Sequence, residues 1–277
     1  MDKIEKSGLT SSLVICAYNE QETIADVLDH CLDQTQPFEA IIIVDNNSKD
    51  QTARIVQGYA EEHPRVKYMF QPIQGVMAAR TMGFDAVTSD IIAKTDADTL
   101  LAPDWNEQML MTFGSAKKPI DAAVGPARYF DAPKFFTWYE LRTDLYNLPN
   151  FMHPPLLYGF NMAITKKIWQ KIRAETCTNE HFFDDSDTAY HIAHSGGRFR
   201  YNRNMVVHTS ARRYEDSLPK LYKYWSRFSD MQAAHGQRFL SKIHKAFAVP
   251  LILIMRCVPF RVYFLARRIR KVRTAKA

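Results

Sequence analysis

The chain has few cysteines, and they are scattered. Cys16, Cys31, Cys177 and Cys257 stand far apart in 277 residues, and no two have CxxC spacing. That speaks against a disulfide framework and predicts reduced, mostly buried thiols of a cytosolic protein. No secretory leader is expected either: MDKIEKSG mixes charges, and the first apolar run, LVICAY, has the length of a strand. The catalytic part is therefore expected in the cytoplasm. Nor is there a clean membrane span. Residues 246–266 are strongly apolar but carry Arg256, Arg261, Pro250 and Pro259, and each arginine at the centre of a span costs about 2.5–3.5 kcal/mol.

Acid is absent from the last stretch of the chain. From Leu251 onward the charged residues are Arg256, Arg261, Arg267, Arg268, Arg270, Lys271, Arg273 and Lys276; with these eight set aside from the +6 total, the rest carries −2. The basicity belongs to the tail, which disfavours a uniformly basic nucleic-acid-binding domain. Apolar residues interleave the basic ones, which favours a helix lying on an anionic membrane surface. The chain is thus expected to sit peripherally at the inner face of the cell membrane.

At 46% hydrophobic content the chain is an ordinary globular protein. Its first half alternates short β-rich runs with helical patterns: strands at residues 13–17, 40–44, 66–70 and 91–94, and helices at 22–32, 52–62 and 76–87. In the first helix Ile24, Val27, Leu28 and Cys31 recur at helical spacing, and Asp50 is placed to cap the second. This alternation predicts βαβ units and a mostly parallel sheet flanked by helices. Beyond Pro103 the pattern loosens. The segment Tyr129–Tyr158 is rich in aromatics and prolines and reads as a substrate cover or a packing flap. Further helices are predicted at 187–194, stopped by Gly196 and Gly197, and at 217–232, with a strand at 199–201 between them. Residues 1–214 are expected to form one α/β domain, and residues 215–277 an amphipathic helical region with the basic tail.

Carboxylates follow the strands. Asp45 ends IIIVD, and Asp96 and Asp98 end IIAKTDAD. In an open α/β sheet such positions crowd into the crevice above the strand ends, where ligands bind. Two acids flanking one residue point the same way and suit Mg²⁺ or Mn²⁺, whose remaining shell phosphate oxygens complete. A second acidic cluster, Asp184, Asp185 and Asp187, opens the helix before Gly196, where one or two acids could act as caps.

In this order the motifs resemble those of the family 2 glycosyltransferases of GT-A fold, from about Ser12 to Arg213. SLVICAYNEQETI is similar to the family's opening strand and turn, VDNNSKDQTARI to its second strand, and GVMAARTMGFDAV to the segment before the metal motif. TDAD resembles the DxD motif itself, GFNMAITKKIW the small-residue strand and helix, DDSD the ED pair, and VVHTSARR the closing motif. Asp184 stands where the family usually carries Glu.

The resemblance implies a nucleotide-sugar donor. Asp45 would accept a hydrogen bond from a base N–H, favouring uracil or another base with an imino proton, unless it serves only an Asx turn; Ala17, Tyr18 and Glu20 would line the same pocket. Arg80 would pair with the diphosphate or the base, or else form a salt bridge on the helix surface. Asp98 would bind Mn²⁺ or Mg²⁺ directly, Asp96 would contact the metal or the ribose, and His208 would complete the metal shell or simply pack. Gly159 and Asn161 would admit the donor sugar close to the backbone, and Arg212 and Arg213 would hold phosphate or remain solvated. Asp185 is the implied general base of an inverting transfer, its pKa raised by Asp184 or Asp187. The acceptor would be lipid-linked or a glycan. A GT-A-like binding or scaffold protein without turnover is the alternative. A nucleotidyltransferase is disfavoured, because CAYNEQET lacks a glycine-rich basic phosphate loop.

Overall fold

The computed structural model describes residues 8–116, 118–132 and 157–274. Two compact units divide them: residues 8–128, 157–180 and 184–209 in the first, and 129–132, 181–183 and 210–274 in the second.

The first unit is built on a seven-stranded sheet. Strands β1 (Ser11–Ala17), β2 (Ala40–Asp45), β3 (Val66–Phe70) and β4 (Ile91–Asp96) are mutually parallel; β8 (Met162–Thr165) runs antiparallel to both β4 and β6 (Ala122–Val124), and β9 (Phe199–Tyr201) is parallel to β6. The order is β3-β2-β1-β4-β8-β6-β9. A second sheet joins β5 (Thr99–Leu101), β10 (Val207–Thr209) and β7 (Ala127–Tyr129) in the order β5-β10-β7.

Both faces of the large sheet are covered, which is why its central strands read as continuous apolar runs. Leu13, Ile15, Ile41 and Ile43 face one core with helices α1 (Ile24–Leu32) and α4 (Trp105–Gly114); Val14, Ile42 and Val44 face the other with α3 (Val76–Ala86) and α5 (Lys166–Ile172). Ile24, Val27, Leu28 and Cys31 are the buried stripe of α1, as their spacing predicts. Helix α2 (Thr52–Glu62) takes its start from Asp50, whose Oδ1 accepts the Thr52 N–H at 2.9 Å.

From β1 the chain moves outward to β2 and β3, then returns to β4 on the other side of β1. That reversal opens a crevice at the carboxyl ends of β1 and β4, the topological switch point where open α/β sheets bind ligands. Two expected boundaries shift there. Strand β4 extends to Asp96, so the first acid of TDAD is the last strand residue. Helix α6 (Asp184–His194) starts three residues before its apolar pattern does, because acids are stabilised in a first turn whose N–H groups are free. Of the aromatic segment Tyr129–Tyr158, residues 133–156 lie outside the described residues.

The second unit is helical. Helix α7 (Leu218–Ala234) buries Leu221 and Met231, while Leu218 and Tyr222 are exposed. The chain then continues through α8 (Arg238–Ile243), α9 (Val249–Ile252) and α10 (Val258–Thr274), joined by wide π turns at His244–Ala248 and Leu253–Cys257. Pro250 and Pro259 each stand two residues beyond such a turn, where a widened helix relieves the proline's clash and missing N–H. Val249, Cys257, Phe260 and Phe264 are buried, and Phe260 stacks on Tyr214 with centroids 4.3 Å apart.

Candidate active site

Strand register gathers the sequence-predicted acids. Ala17 pairs with Asp45 across β1 and β2, and Cys16 pairs with Asp96 across β1 and β4, so both carboxylates end the strands that flank β1, at the crevice. The loops above are laced together. Asn19, in the left-handed region at φ 56°, accepts the Lys49 N–H through Oδ1 at 2.8 Å, and Thr52 Oγ1 accepts the Glu20 N–H at 2.9 Å. Thr23 Oγ1 donates to the Ala97 carbonyl at 2.8 Å and approaches Glu20 Oε2 at 3.1 Å, tying the first loop to the TDAD turn. Tyr18 stands exposed beyond Ala17.

Asp45 is buried, with Oδ1 accepting the Ser48 N–H at 3.2 Å and Oδ2 the Tyr68 hydroxyl at 3.3 Å. The turn interaction weighed from sequence is present. It leaves acceptor capacity, because each carboxylate oxygen takes two hydrogen bonds.

The centre of the site is a residue that the sequence reading missed. Lys94, fully buried on β4, donates to Asp96 Oδ1 at 3.1 Å and to the Gly159 carbonyl at 2.9 Å, and lies 3.6 Å from Asp184 Oδ2. Burial alone would strip its proton, but the carboxylates of Asp184 and Asp96 outweigh that effect and raise its pKa above the usual lysine range. The signal was available. A lysine in a strand buried on both faces needs partners, and Lys94 shares a face with Asp96 two residues on.

Gly159 links this ammonium to the expected base. Its carbonyl accepts from Lys94, while its N–H donates to Asp185 Oδ2 at 2.7 Å. A Cβ there would lie 2.7 Å from Lys94 Nζ, so the close approach reserved for a sugar in the sequence reading is made by protein groups. Asp185 Oδ1 accepts from the Ser186 N–H and hydroxyl. Burial, then the neighbouring Asp184 charge, pushes the Asp185 carboxyl up to about 6, against the Gly159 hydrogen bond and Lys94. Of the two acids considered as its like-charge neighbour, Asp184 fills the role. Asp187 turns away: although burial opposes ionisation, hydrogen bonds from His191 and Cys177 hold it at about 2.

Arg80 does not form the helix-surface salt bridge weighed for it. Its side chain is buried, with Nη1 donating to the Asp184 carbonyl at 2.9 Å and Thr188 Oγ1 at 3.0 Å and the guanidinium 5.6 Å from the Trp169 ring centroid. It anchors the first turn of α6. A second residue absent from the sequence reading, Glu180, accepts the Met77 and Ala78 N–H groups at 3.1 and 3.4 Å and so caps α3. Nothing in its local pattern marks it.

One expectation is corrected. Asn161 is fully buried, with Oδ1 accepting from Trp105 Nε1 at 2.9 Å and Nδ2 donating to the Pro126 and Met205 carbonyls at 2.9 and 2.7 Å. It clamps three segments of core, so its side chain is engaged there rather than in the crevice. His208 pairs with Leu100 across β10 and β5. Burial, then the charges of Arg128 and His30, lowers its pKa; among the described residues its ring is not grouped with Asp96 and Asp98.

The fit of a divalent cation rests on the remaining acids. Asp96 is half-exposed and Lys94 engages its Oδ1, leaving Oδ2 for a ligand; Asp98 is partly exposed at the turn, with Thr99 Oγ1 3.4 Å from its Oδ1. Carboxylate oxygens at an open strand end are what a hard cation takes, so the pair fits one. Arg212 and Arg213 open a short 3₁₀ turn in the second unit, where the Arg213 guanidinium lies 4.7 Å from the Tyr224 ring centroid.

The profile of the family described as Glycosyl transferase family 2 matches residues 12–189. EpsH of Bacillus subtilis (strain 168) is 37% identical over 103 residues, which cover 37% of this chain and 30% of that protein. The glucosyl-dolichyl phosphate glucuronosyltransferase of Haloferax volcanii is 29% identical over 132 residues, covering 45% and 41%. The chain thus spans less than half the length of these relatives. Among solved structures, the mannosyltransferase PcManGT from Pyrobaculum calidifontis, in complex with GDP-Man and Mn²⁺, superposes with a TM-score of 0.67 at 18% identity, over 96% of this chain and 77% of that one.

Proposed function

The chain belongs to glycosyl transferase family 2, and on that footing we propose that it is an inverting, divalent-metal-dependent glycosyltransferase. It moves a sugar from a nucleoside diphosphate donor, with a uridine nucleotide favoured, to a lipid-linked or glycan acceptor at the cytoplasmic face of a membrane. The observation that carries this reading is the pairing of two acid sets through one buried ammonium: Asp96 of the TDAD turn on one side of Lys94, Asp184 beside the base on the other.

Asp98 is the direct metal ligand, and Asp96, half engaged by Lys94, contacts the metal or the ribose. When bound, Mn²⁺ or Mg²⁺ neutralises charge growing on the leaving nucleoside diphosphate. Asp45 accepts an imino N–H of the base, with Ala17, Tyr18 and Glu20 as neighbouring walls of the nucleotide pocket. Asp185 takes the proton of the acceptor hydroxyl as that oxygen attacks the anomeric carbon from the face opposite the phosphate, so configuration inverts. A carboxylate with a pKa near 6 is a stronger base than an ordinary aspartate and is still mostly ionised at neutral pH. GDP-Man and Mn²⁺ in a protein of the same fold support the donor class and the metal. The dolichyl phosphate in the name of the Haloferax relative supports a lipid-linked acceptor.

Support for the membrane comes from the helix Arg238–Ala266, which is long and apolar enough to cross a bilayer by length and composition. Leu240, Ile243, Phe247, Leu251, Ile254, Val258, Val262 and Leu265 are exposed and recur every three or four residues, forming one apolar stripe. Phe260 and Phe264 on another face are buried, Phe260 against Tyr214 and Tyr129 of the same unit. A helix packed on one side and apolar on the other lies in the interface rather than across it.

The deciding experiment is a thermal shift of the purified protein with UDP, GDP, CDP and ADP, each with and without Mn²⁺, beside Asp98→Ala. Stabilisation by one nucleotide that needs both the metal and Asp98 is expected. A folded wild type that no nucleotide shifts would overturn the donor site and leave a binding or scaffold role.

A further inference from the structure

Helix α6 carries a second group of side chains, which the transfer reaction does not use. Asp187 and His191 stand four residues apart and therefore share one face of the helix. Cys177, beyond α5, folds back so that its N–H donates to Asp187 Oδ2 at 3.0 Å. The Cys177 thiol, an Asp187 carboxylate oxygen and a His191 ring nitrogen all lie within 4.8 Å of one another. Asp187 is wholly buried and His191 nearly so.

We propose that Cys177, Asp187 and His191 form a zinc site, separate from the acid pair Asp96 and Asp98. Three features of the cluster support it. First, the donor set is thiolate, imidazole and carboxylate. That combination suits Zn²⁺, whereas Mg²⁺ and Mn²⁺ prefer oxygen alone. Second, His191 Nε2 and Asp187 Oδ1 are 3.4 Å apart, and two donors each about 2.0–2.1 Å from a tetrahedral centre stand about 3.3–3.4 Å apart. Third, the histidine is oriented from behind. Its Nδ1 lies 3.6 Å from Glu175 Oε2, so when the ion binds, the ring proton that serves Asp187 from Nε2 is relocated to Nδ1, where it faces a carboxylate, and the Nε2 electron pair goes to the ion. Metal-ligating histidines carry such a carboxylate behind them.

Binding breaks the Cys177 S–H bond. The proton passes to buffer, and the electron pair on sulfur forms the metal bond. Thiolate and carboxylate then cancel the charge of the cation, so the buried set becomes neutral. The ion would staple the segment at Cys177 to the turn that carries Asp184 and Asp185, fixing the position of the base without touching substrate.

Zinc content is measured on the full chain, purified without added metal or chelator, as wild type, Asp98→Ala, Cys177→Ser and His191→Gln. About one equivalent is expected in wild type and Asp98→Ala, falling more than about tenfold in the other two. Replacement by Co²⁺ in the wild type should give a near-ultraviolet thiolate-to-cobalt charge-transfer band, which Asp98→Ala keeps. The cobalt spectrum decides even if a ligand variant fails to fold. Wild type without stoichiometric zinc and without that band, or zinc retained undiminished in Cys177→Ser and His191→Gln, would overturn the site. Because Asp98→Ala keeps the zinc but loses the donor metal, failure of the zinc site and failure of the transferase reading give different results.

Discussion

Asp185 and Lys94 concentrate the chemistry of the site, and their charges set its pH dependence. The Asp185 carboxyl sits at about 6 rather than 3.8 because it is buried beside Asp184. Since the base must be ionised, kcat/KM is expected to fall as pH drops through about 6, measured over a pH series with saturating metal. Stability runs the other way. A carboxyl whose pKa is raised on folding contributes stability that is full below its unfolded value and lost as pH rises through about 6. Asp185→Asn should therefore keep nucleotide binding, lose about 10²–10⁴ in transfer rate, and gain melting temperature over wild type at about pH 8 but not at about pH 5. Full transfer activity in that variant would remove Asp185 from the mechanism. Lys94→Met tests the opposite charge. It leaves Asp184 Oδ2, which has no hydrogen-bond donor and relies on the ammonium 3.6 Å away, buried with an uncompensated charge, at a cost of about 3–5 kcal/mol. It also removes a charge that favours ionised Asp185, so the acidic limb of the rate profile moves to higher pH. An unmoved limb would limit Lys94 to structure.

At the scale of elements, the site is two strand ends facing one helix start, with a glycine peptide between them. The strand ends were legible. Apolar runs, each stopped by an acid, give β2 and β4, and their parallel register follows from the βαβ alternation. The start of α6 was not, because Asp184 and Asp185 precede its apolar period and belong to it through the Lys94 and Arg80 contacts. Sequence also misassigned Asn161. Beside Gly159 in a motif expected to face the donor it reads as a binding residue, yet its amide is held in the core by Trp105, Pro126 and Met205. Partners 35 to 56 residues away in the chain leave no local signature. Asn161→Leu should accordingly lower unfolding free energy by about 1–3 kcal/mol for each group left unpaired, measured by urea denaturation, with the KM of whatever folded enzyme remains unchanged. A raised KM at unchanged stability would return Asn161 to the donor pocket.

At the scale of the molecule, the charge asymmetry of the sequence separates two tasks. The α/β unit concentrates acids at the carboxyl ends of interior strands, and the helical unit carries the basic tail and an exposed apolar stripe. A stripe of that length on a soluble surface is costly to leave in water, since each exposed large side chain forgoes about 1.5–3 kcal/mol of burial. A lipid surface would cover it without asking Arg256 or Arg261 to enter the hydrocarbon centre. The surface and spanning alternatives predict different chemistry of release. If the helix lies in the interface, attachment is the sum of apolar burial and about 1 kcal/mol per basic residue near anionic lipid, so it should weaken steeply with salt and with loss of anionic headgroups. If it spans, neither change releases it. The double substitution Phe247→Glu with Ile254→Glu places two acids on the exposed stripe and leaves Phe260 on Tyr214. Co-sedimentation of this variant with vesicles of mixed anionic and neutral lipid is expected to fall at least about tenfold, two acids costing more than the 1.4 kcal/mol of one decade. The melting temperature should not change. Binding that survives both the substitutions and high salt would mean that the stripe is not the membrane contact.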